Sequence, residues 1–272
     1  MPSFRLTLAY DGTDFSGSQV QSNQRTVQGE LEAILGKLSG GPVRATFAGR
    51  TDGGVHAIGQ VAAVELPAWT ATSRDLQHAL NARLPNDLAA THVANCSDSF
   101  HPRFDALWRE YRYWIAPGVV SPFLRRYAWM PRAAVDGDAV RAGARLLVGT
   151  HDFASFAGGG EGVPWSARAA RPRGTTRALF VADCRETAVD FALPGCRPAS
   201  VLEVRVAADA FLPRMVRNIV GALVEVGQGR QDPSWISELL ALQDRRLGSV
   251  VAPPQGLTLW RVGFDGDVID EG

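Results

Sequence analysis

The sequence predicts an α+β protein organised as two halves, and three observations predict it. Apolar residues alternate with a period of two in several segments, beginning with Phe4-Arg5-Leu6-Thr7-Leu8-Ala9-Tyr10, as half-buried strands require. Between these segments lie others whose apolar residues recur at helical spacing. The first half then runs strand, helix, strand, strand, helix, strand, which is the split βαβ order, and the second half is similar in outline. With 272 residues, 46% of them hydrophobic, the chain is long enough to bury a core and to form two subdomains. The expected division is residues 1–105 and residues 106–272.

The elements follow in order. After the first strand, Asp11-Gly12-Thr13 signals a turn. Thr26 caps a helix with Val27, Leu31, Ile34, Leu35 and Leu38 on one face. Pro42 to Phe47 and Gln60 to Leu66 read as strands on either side of a loop. Ser73 opens a second helix, with Leu76, Leu80 and Leu84 in line and Pro85 to stop it. Thr91 to Cys96 completes the first half as a strand. In the second half Leu107 to Ile115, rich in Trp and Tyr, suits a strand, and Asp136 to Val148 suits a helix. Strands are expected near Ala178–Ala182, Ala188–Ala192 and Ser200–Ala207. A helix is expected from about Pro213 to Val226, with Pro213 in its first turn. A shorter helix, Pro233 to Leu242, and a last strand, Leu257 to Phe264, end the chain. Gly158 to Gly174, rich in Gly, Pro and Arg, is the one long irregular stretch.

Formal net charge is +0, so composition gives no general signal for a polyanionic partner. Positive charge is instead clustered: Arg109 with Arg112, Arg125 with Arg126, Arg168 to Arg177, and Arg214 with Arg217. Lys37 is the single lysine. Cys96, Cys184 and Cys196 show no C-x-x-C spacing, which fits reduced thiols and neither a disulfide framework nor a zinc site. No apolar run approaches the roughly twenty residues of a membrane span, and the N-terminus carries no signal core. A soluble cytoplasmic protein with no membrane association is expected.

The chemistry concentrates in Ala48-Gly49-Arg50-Thr51-Asp52-Gly53-Gly54-Val55-His56-Ala57. One carboxylate, Asp52, lies two residues after a guanidinium and directly before two glycines. An ionised Asp is a plausible nucleophile, Arg50 can orient it or a phosphate, and the glycines allow close approach of backbone or substrate. A loop between two strands presents such a group from a rigid scaffold. Further along, Phe100-His101-Pro102-Arg103-Phe104-Asp105-Ala106 precedes Tyr111-Arg112-Tyr113, whose alternation puts both tyrosines on one face and Arg112 on the other. In Phe211-Leu212-Pro213-Arg214-Met215-Val216-Arg217-Asn218-Ile219-Val220-Gly221, Met215, Val216, Ile219 and Val220 belong to a wide apolar face, and Arg217 and Gly221, four apart, share a different side. A buried helix with one projecting Arg calls for a carboxylate or phosphate partner.

Taken together these blocks resemble the tRNA pseudouridine synthases of the A type, whose pattern around the catalytic aspartate is close to A-G-R-T-D-A-G-V-H-A. Tyr10-Asp11-Gly12-Thr13-Asp14-Phe15-Ser16-Gly17, Thr26-Val27-Gln28-Gly29, Leu80-Asn81-Ala82-Arg83-Leu84-Pro85 and Gly149-Thr150-His151-Asp152-Phe153 agree with the same family, so the resemblance spans nearly the whole chain. Two departures stand out: Gly53 where the family usually has Ala, and Ser18 where it usually has Trp.

The resemblance implies an isomerase that converts uridine to pseudouridine in the anticodon stem-loop of tRNA, as a homodimer, with no cofactor and no metal. Asp52 would be the nucleophile or the group that starts glycosidic cleavage. Arg217 would orient it, Arg50 would fill the space of a displaced base or hold a phosphate, and Tyr111 would stack on the uracil, leaving Tyr113 to the core. The implied fold is a mostly antiparallel sheet made by two pseudo-duplicated halves, with helices on one face and an RNA-binding cleft on the other. The Gly158–Gly174 loop then either closes on RNA or is a solvated insertion. Two other classes stay open. A metal-dependent hydrolase would use Asp52, His56, His151 and Asp152, although paired His ligands at helical spacing are missing. A non-catalytic RNA-binding module would have no use for an anion at position 52.

Overall fold

The computed structural model describes residues 2–118, 121–158, 174–189 and 199–269. They fall into two compact units. The first is Met1–Leu107 with Thr258–Val268, and the second is Trp108–Leu257 with Ile269–Gly272.

In the first unit β1 (Ser3–Tyr10), α1 (Val27–Ser39), β2 (Ala45–Phe47), β3 (His56–Glu65), α2 (Ser73–Asn81) and β4 (Leu88–Cys96) follow in the expected order. β1 is central, with β3 and β4 antiparallel on its two sides, and β2 pairs antiparallel with β3. The period-two alternation of β1 is realised as burial of Phe4, Leu6, Leu8 and Tyr10. Against the sheet lie Leu31 and Leu35 of α1 and Leu76 and Leu80 of α2, all fully buried. Both helix starts are capped. The Thr26 hydroxyl accepts the Gly29 amide, and Thr72 forms a reciprocal capping box with Asp75; such caps contribute about 1 kcal/mol each.

The second unit contains β5 (Trp108–Ile115), α3 (Gly137–Arg145), β6 (Gly149–Asp152), β7 (Thr176–Val189), β8 (Ala199–Ala208), α4 (Met215–Gly227) and α5 (Trp235–Leu242). Its sheet order is β5-β8-β7-β6, with antiparallel pairing throughout. The final strand, β9 (Leu257–Gly263), enters the first unit and pairs parallel with β3 at His56↔Thr258 and Ala57↔Leu259. Gly59 permits this approach, because a Cβ there would lie 2.2 Å from the Trp260 carbonyl oxygen.

Two expectations are corrected, and one strand is added to those expected. The segment expected to hold separate strands near Ala178–Ala182 and Ala188–Ala192 is one strand, β7, as far as Val189; residues 190–198 lie outside the described residues. The polar run Arg185-Glu186-Thr187 breaks the apolar pattern but not the ladder, since Arg185 pairs with Glu203 and Glu186 with Ser200 across β8. β6 carries too short and too polar a pattern to be recognised as a strand. Finally, Pro213 precedes α4 and is not in its first turn, because Arg214 at φ 58° and ψ 6° is left-handed and cannot continue a helix. The irregular stretch expected at Gly158–Gly174 falls outside the described residues from 159 to 173.

One face of β5 and β8 carries a compact set of charges. Glu110 receives Arg112 at 2.9 Å and a two-point contact from Arg205, both at 3.0 Å. Glu203 receives Arg185 at 3.0 Å and Arg112 at 3.4 Å. Glu110, Glu203 and Arg205 are buried, so each charge depends on its opposite for lost hydration. Replacing Glu110 by Ala takes the carboxylate from buried Arg205 and leaves Arg112 with Glu203 alone, and should lower stability by about 3 kcal/mol in urea unfolding. A loss under about 1 kcal/mol, the size typical of exposed pairs, would mean that water already serves these charges.

Candidate active site

The loop between β2 and β3 is fixed at nearly every residue. The Ala48 amide donates to the Val61 carbonyl at 2.8 Å, and the side-chain amide of Gln60, wholly buried, donates to the Gly49 carbonyl at 3.0 Å. Thr51 is held at three atoms. Its amide donates to Ser18 Oγ at 2.9 Å, its carbonyl accepts the Ser18 amide at 3.0 Å, and its hydroxyl lies 2.8 Å from the Tyr10 hydroxyl. Asp52 follows at once and is half-buried. Its carbonyl accepts the Val55 amide at 3.2 Å, closing a turn in which Gly54 has φ 78°. Positive φ at the third residue alone is the type II pattern and calls for glycine there.

The segment Asp11–Ser18 forms the floor under this loop. A Cβ on Gly12 would come within 2.0 Å of the Val55 carbonyl oxygen, so only glycine fits. The Gly12 amide lies 3.0 Å from His56 Nδ1. Asp11 Oδ1 lies 3.2 Å from the same nitrogen and accepts the Thr13 amide at 3.0 Å. Gly17, at φ 104°, passes so close to Thr51 that a Cβ would sit 2.9 Å from its carbonyl oxygen. Burial pushes the Tyr10 phenol up to about 12, keeping it a neutral hydrogen-bonding group. The floor is tied down by Arg25, which is bidentate to Asp87 at 2.7 and 2.9 Å, bonds Glu30 at 2.9 Å and covers the Phe15 ring at 4.2 Å.

Among the other expected residues, Arg50 is exposed and flanks Thr51 opposite Asp52 in sequence. Tyr111 and Arg217 belong to the second unit. Tyr111 is 8% exposed, its ring edge-on to Phe211 with centroids 5.1 Å apart. Tyr113 on the same face is fully buried and donates its hydroxyl to the Pro253 carbonyl at 2.8 Å. Arg217, half-buried on α4, donates Nε–H to the Ala252 carbonyl at 2.7 Å, while the Ala252 amide donates to the Arg217 carbonyl at 3.1 Å. Gly221 makes this possible: a Cβ there would meet the Val250 carbonyl oxygen at 1.9 Å. The small residue thus admits the chain segment that holds the arginine side chain.

The residues invoked for a metal-dependent hydrolase have local partners. His56 Nδ1 lies 3.0 Å from the Gly12 amide, His151 Nε2 lies 3.2 Å from the Val148 carbonyl, and Asp152 accepts the Ala154 amide at 2.9 Å. Among the described residues no group of three or more His, Cys, Asp or Glu side chains is placed to hold a metal ion. Cys184 is buried and its thiol is pushed up to about 12 by that burial, which suits an inert core residue. Cys196 lies outside the described residues.

Ser18, Tyr10 and Gln60 hold the loop without standing out by residue type. A glutamine inside an otherwise apolar strand, and a serine at a position where the resembling family usually has Trp, are the available signals.

The chain is similar to known proteins along nearly its whole length. The family described as tRNA pseudouridine synthase matches residues 7–105 and 144–265, with Tyr111 between the two matched stretches. A protein of Geobacillus kaustophilus named tRNA pseudouridine synthase A is 40% identical over 268 residues, covering 97% of this chain and 95% of its own. A protein of that name from Solidesulfovibrio magneticus is 43% identical over 270 residues, with 97% and 92% covered. A third, from Thermosipho africanus, is 39% identical over 264 residues, with 97% and 100% covered.

Two outcomes follow from the loop and its floor. At Gly53 an added Cβ meets nothing closer than the Phe15 carbonyl oxygen at 3.4 Å, so Gly53→Ala should stabilise by about 0.4–1 kcal/mol through the unfolded chain. Gly54→Ala, at positive φ, should destabilise by about 1 kcal/mol or more. Urea unfolding of the two variants checks the contrast, and equal effects would contradict the turn assigned here. The Arg25 guanidinium, hydrogen-bonded to Asp87, holds that carboxyl below its ordinary range. The pair's stabilisation is therefore full above the unfolded value of about 3.9 and is lost as pH falls through the lower folded value. Asp87→Asn should flatten the fall in stability below about pH 4; an unchanged slope would show that the pair contributes nothing.

Proposed function

The chain belongs to the family of tRNA pseudouridine synthases and isomerises uridine to pseudouridine in tRNA, and from that premise we propose that it acts on the 3′ side of the anticodon stem-loop with Asp52 as the group that starts the reaction. The observation carrying the role of Asp52 is the fixing of its neighbour Thr51 at amide, carbonyl and hydroxyl. A reacting group gains most when it is held in place before substrate arrives.

The isomerisation is balanced without any co-reactant. The N1–C1′ bond breaks, the uracil turns, C5 joins C1′, C5 gives up its proton and N1 ends with one. Asp52 serves this chemistry by attack at C1′, by attack at C6, or by removing a proton so that cleavage passes through a glycal; each route needs a carboxylate at one defined point. Arg217 orients that carboxylate in this proposal, and its Nε bond to Ala252 supports a fixed side-chain direction.

Tyr111 stacks on the uracil and assists proton transfer. Its 8% exposure means that a base reaching the ring face must first displace neighbouring groups. Arg50, exposed beside the loop, fills the space left by the displaced base or holds a phosphate. Extruding a base costs a few kcal/mol, which contacts between arginines and the RNA backbone would offset. The same proposal includes a homodimer, a cytoplasmic location, two halves related by duplication, and an RNA-binding cleft.

Incubation of the purified protein with unmodified tRNA transcript, followed by carbodiimide primer extension, tests it. New stops in the anticodon arm are expected, and Asp52→Asn should lose them while still binding tRNA. Turnover in a clean preparation of the Asp52→Asn variant would overturn the role of Asp52. Stops elsewhere in the tRNA would overturn the choice of the anticodon arm.

A further inference from the structure

We infer that Ser18 is a positioning residue for Asp52, acting through the peptide that joins Thr51 to it. The inference rests on the proposal that Asp52 is the catalytic carboxylate. Ser18 is 1% exposed and meets Thr51 twice, its Oγ accepting the Thr51 amide at 2.9 Å and its own amide donating to the Thr51 carbonyl at 3.0 Å. These two bonds grip Thr51 on both sides of its Cα, so its φ and ψ are fixed together. The second bond is made to the carbonyl of the Thr51–Asp52 peptide itself, and therefore sets the plane from which Asp52 departs.

The backbone bond could be made by any residue except proline. The side-chain bond could not. An indole is a donor only and has nothing with which to accept an amide proton, so the Trp usual in the family would leave the Thr51 amide to another partner. In this chain the serine hydroxyl satisfies it at a buried position, where a lost partner is costly. Thr51 Oγ1 is held independently by Tyr10 at 2.8 Å, and Gly17 at φ 104° lets Ser18 reach this place. Removing the hydroxyl therefore releases one end of Thr51 and leaves the remainder of the floor intact.

The test compares Ser18→Ala, Ser18→Thr and Asp52→Asn with the wild type, reading kcat, KM for tRNA transcript and thermal midpoint. A buried amide left without its acceptor corresponds to about tenfold in rate when the loss is felt at the reacting group. Ser18→Ala should therefore lower kcat about tenfold with KM within about twofold, and Ser18→Thr, which keeps the hydroxyl, should restore most of it. Wild-type kcat in Ser18→Ala, with Asp52→Asn inactive, would overturn the inference and leave the role of Asp52 standing. So would a fall in kcat that follows the thermal midpoint down in both Ser18 variants, since that marks a merely structural residue. Activity in Asp52→Asn would instead overturn the proposal on which the inference rests.

Discussion

The hydrogen bonds that hold Thr51 are the constraint on which the shape of the loop leading into Asp52 depends. A loop between two strands would ordinarily be its most mobile part. Here the buried hydroxyls of Ser18 and Tyr10 and the buried amide of Gln60 turn toward it. Each bond contributes only about 1 kcal/mol net, but leaving any of these buried groups unpaired would cost more. The loop and its floor therefore specify one another. The glycines follow from the same constraint: Gly12 and Gly17 let the floor approach, and Gly54 lets the chain turn back after Asp52.

The second unit solves a related problem with a helix. α4 is buried on almost every side, which leaves an arginine within it in need of a local partner. The chain segment at 249–252 provides one by lying across Gly221 and bonding Arg217 at both backbone and side chain. On the opposite face of β5 from Tyr111, the Glu110 and Glu203 carboxylates do the same for Arg112, Arg185 and Arg205. In both units these buried polar groups meet a defined partner, as a packed interior demands. That rigidity suits a reaction that rearranges the bonds of one nucleoside and gives nothing away to a second substrate.

Local pattern carries much of this in the sequence. The alternation of β1, the cap at Thr26, the helix with Leu76 and Leu80, and the Gly-Arg-Thr-Asp-Gly-Gly loop are all legible because each depends on neighbours within a few residues. β7 is harder, since its polar middle is held extended by partners on β8 and not by its own apolar pattern. The start of α4 is displaced from its expected place because the left-handed Arg214 has no signature in residue type. The contacts that fix the candidate site are out of reach for a deeper reason. Ser18 and Tyr10 stand 33 and 41 residues from Thr51, and spacing along a chain says nothing about pairs that only the completed sheet brings together. The motifs point to Asp52; they do not say what holds it.

Hydrogen exchange of the wild-type backbone amides reads this constraint most directly. The amides of Thr51 and Ser18 should exchange as slowly as those in the β1–β3 ladder, because opening them requires the floor to leave the loop. Exchange of these two amides at the rate of an exposed loop would show that the loop moves independently of its floor, and would contradict a carboxylate held in place before substrate binds.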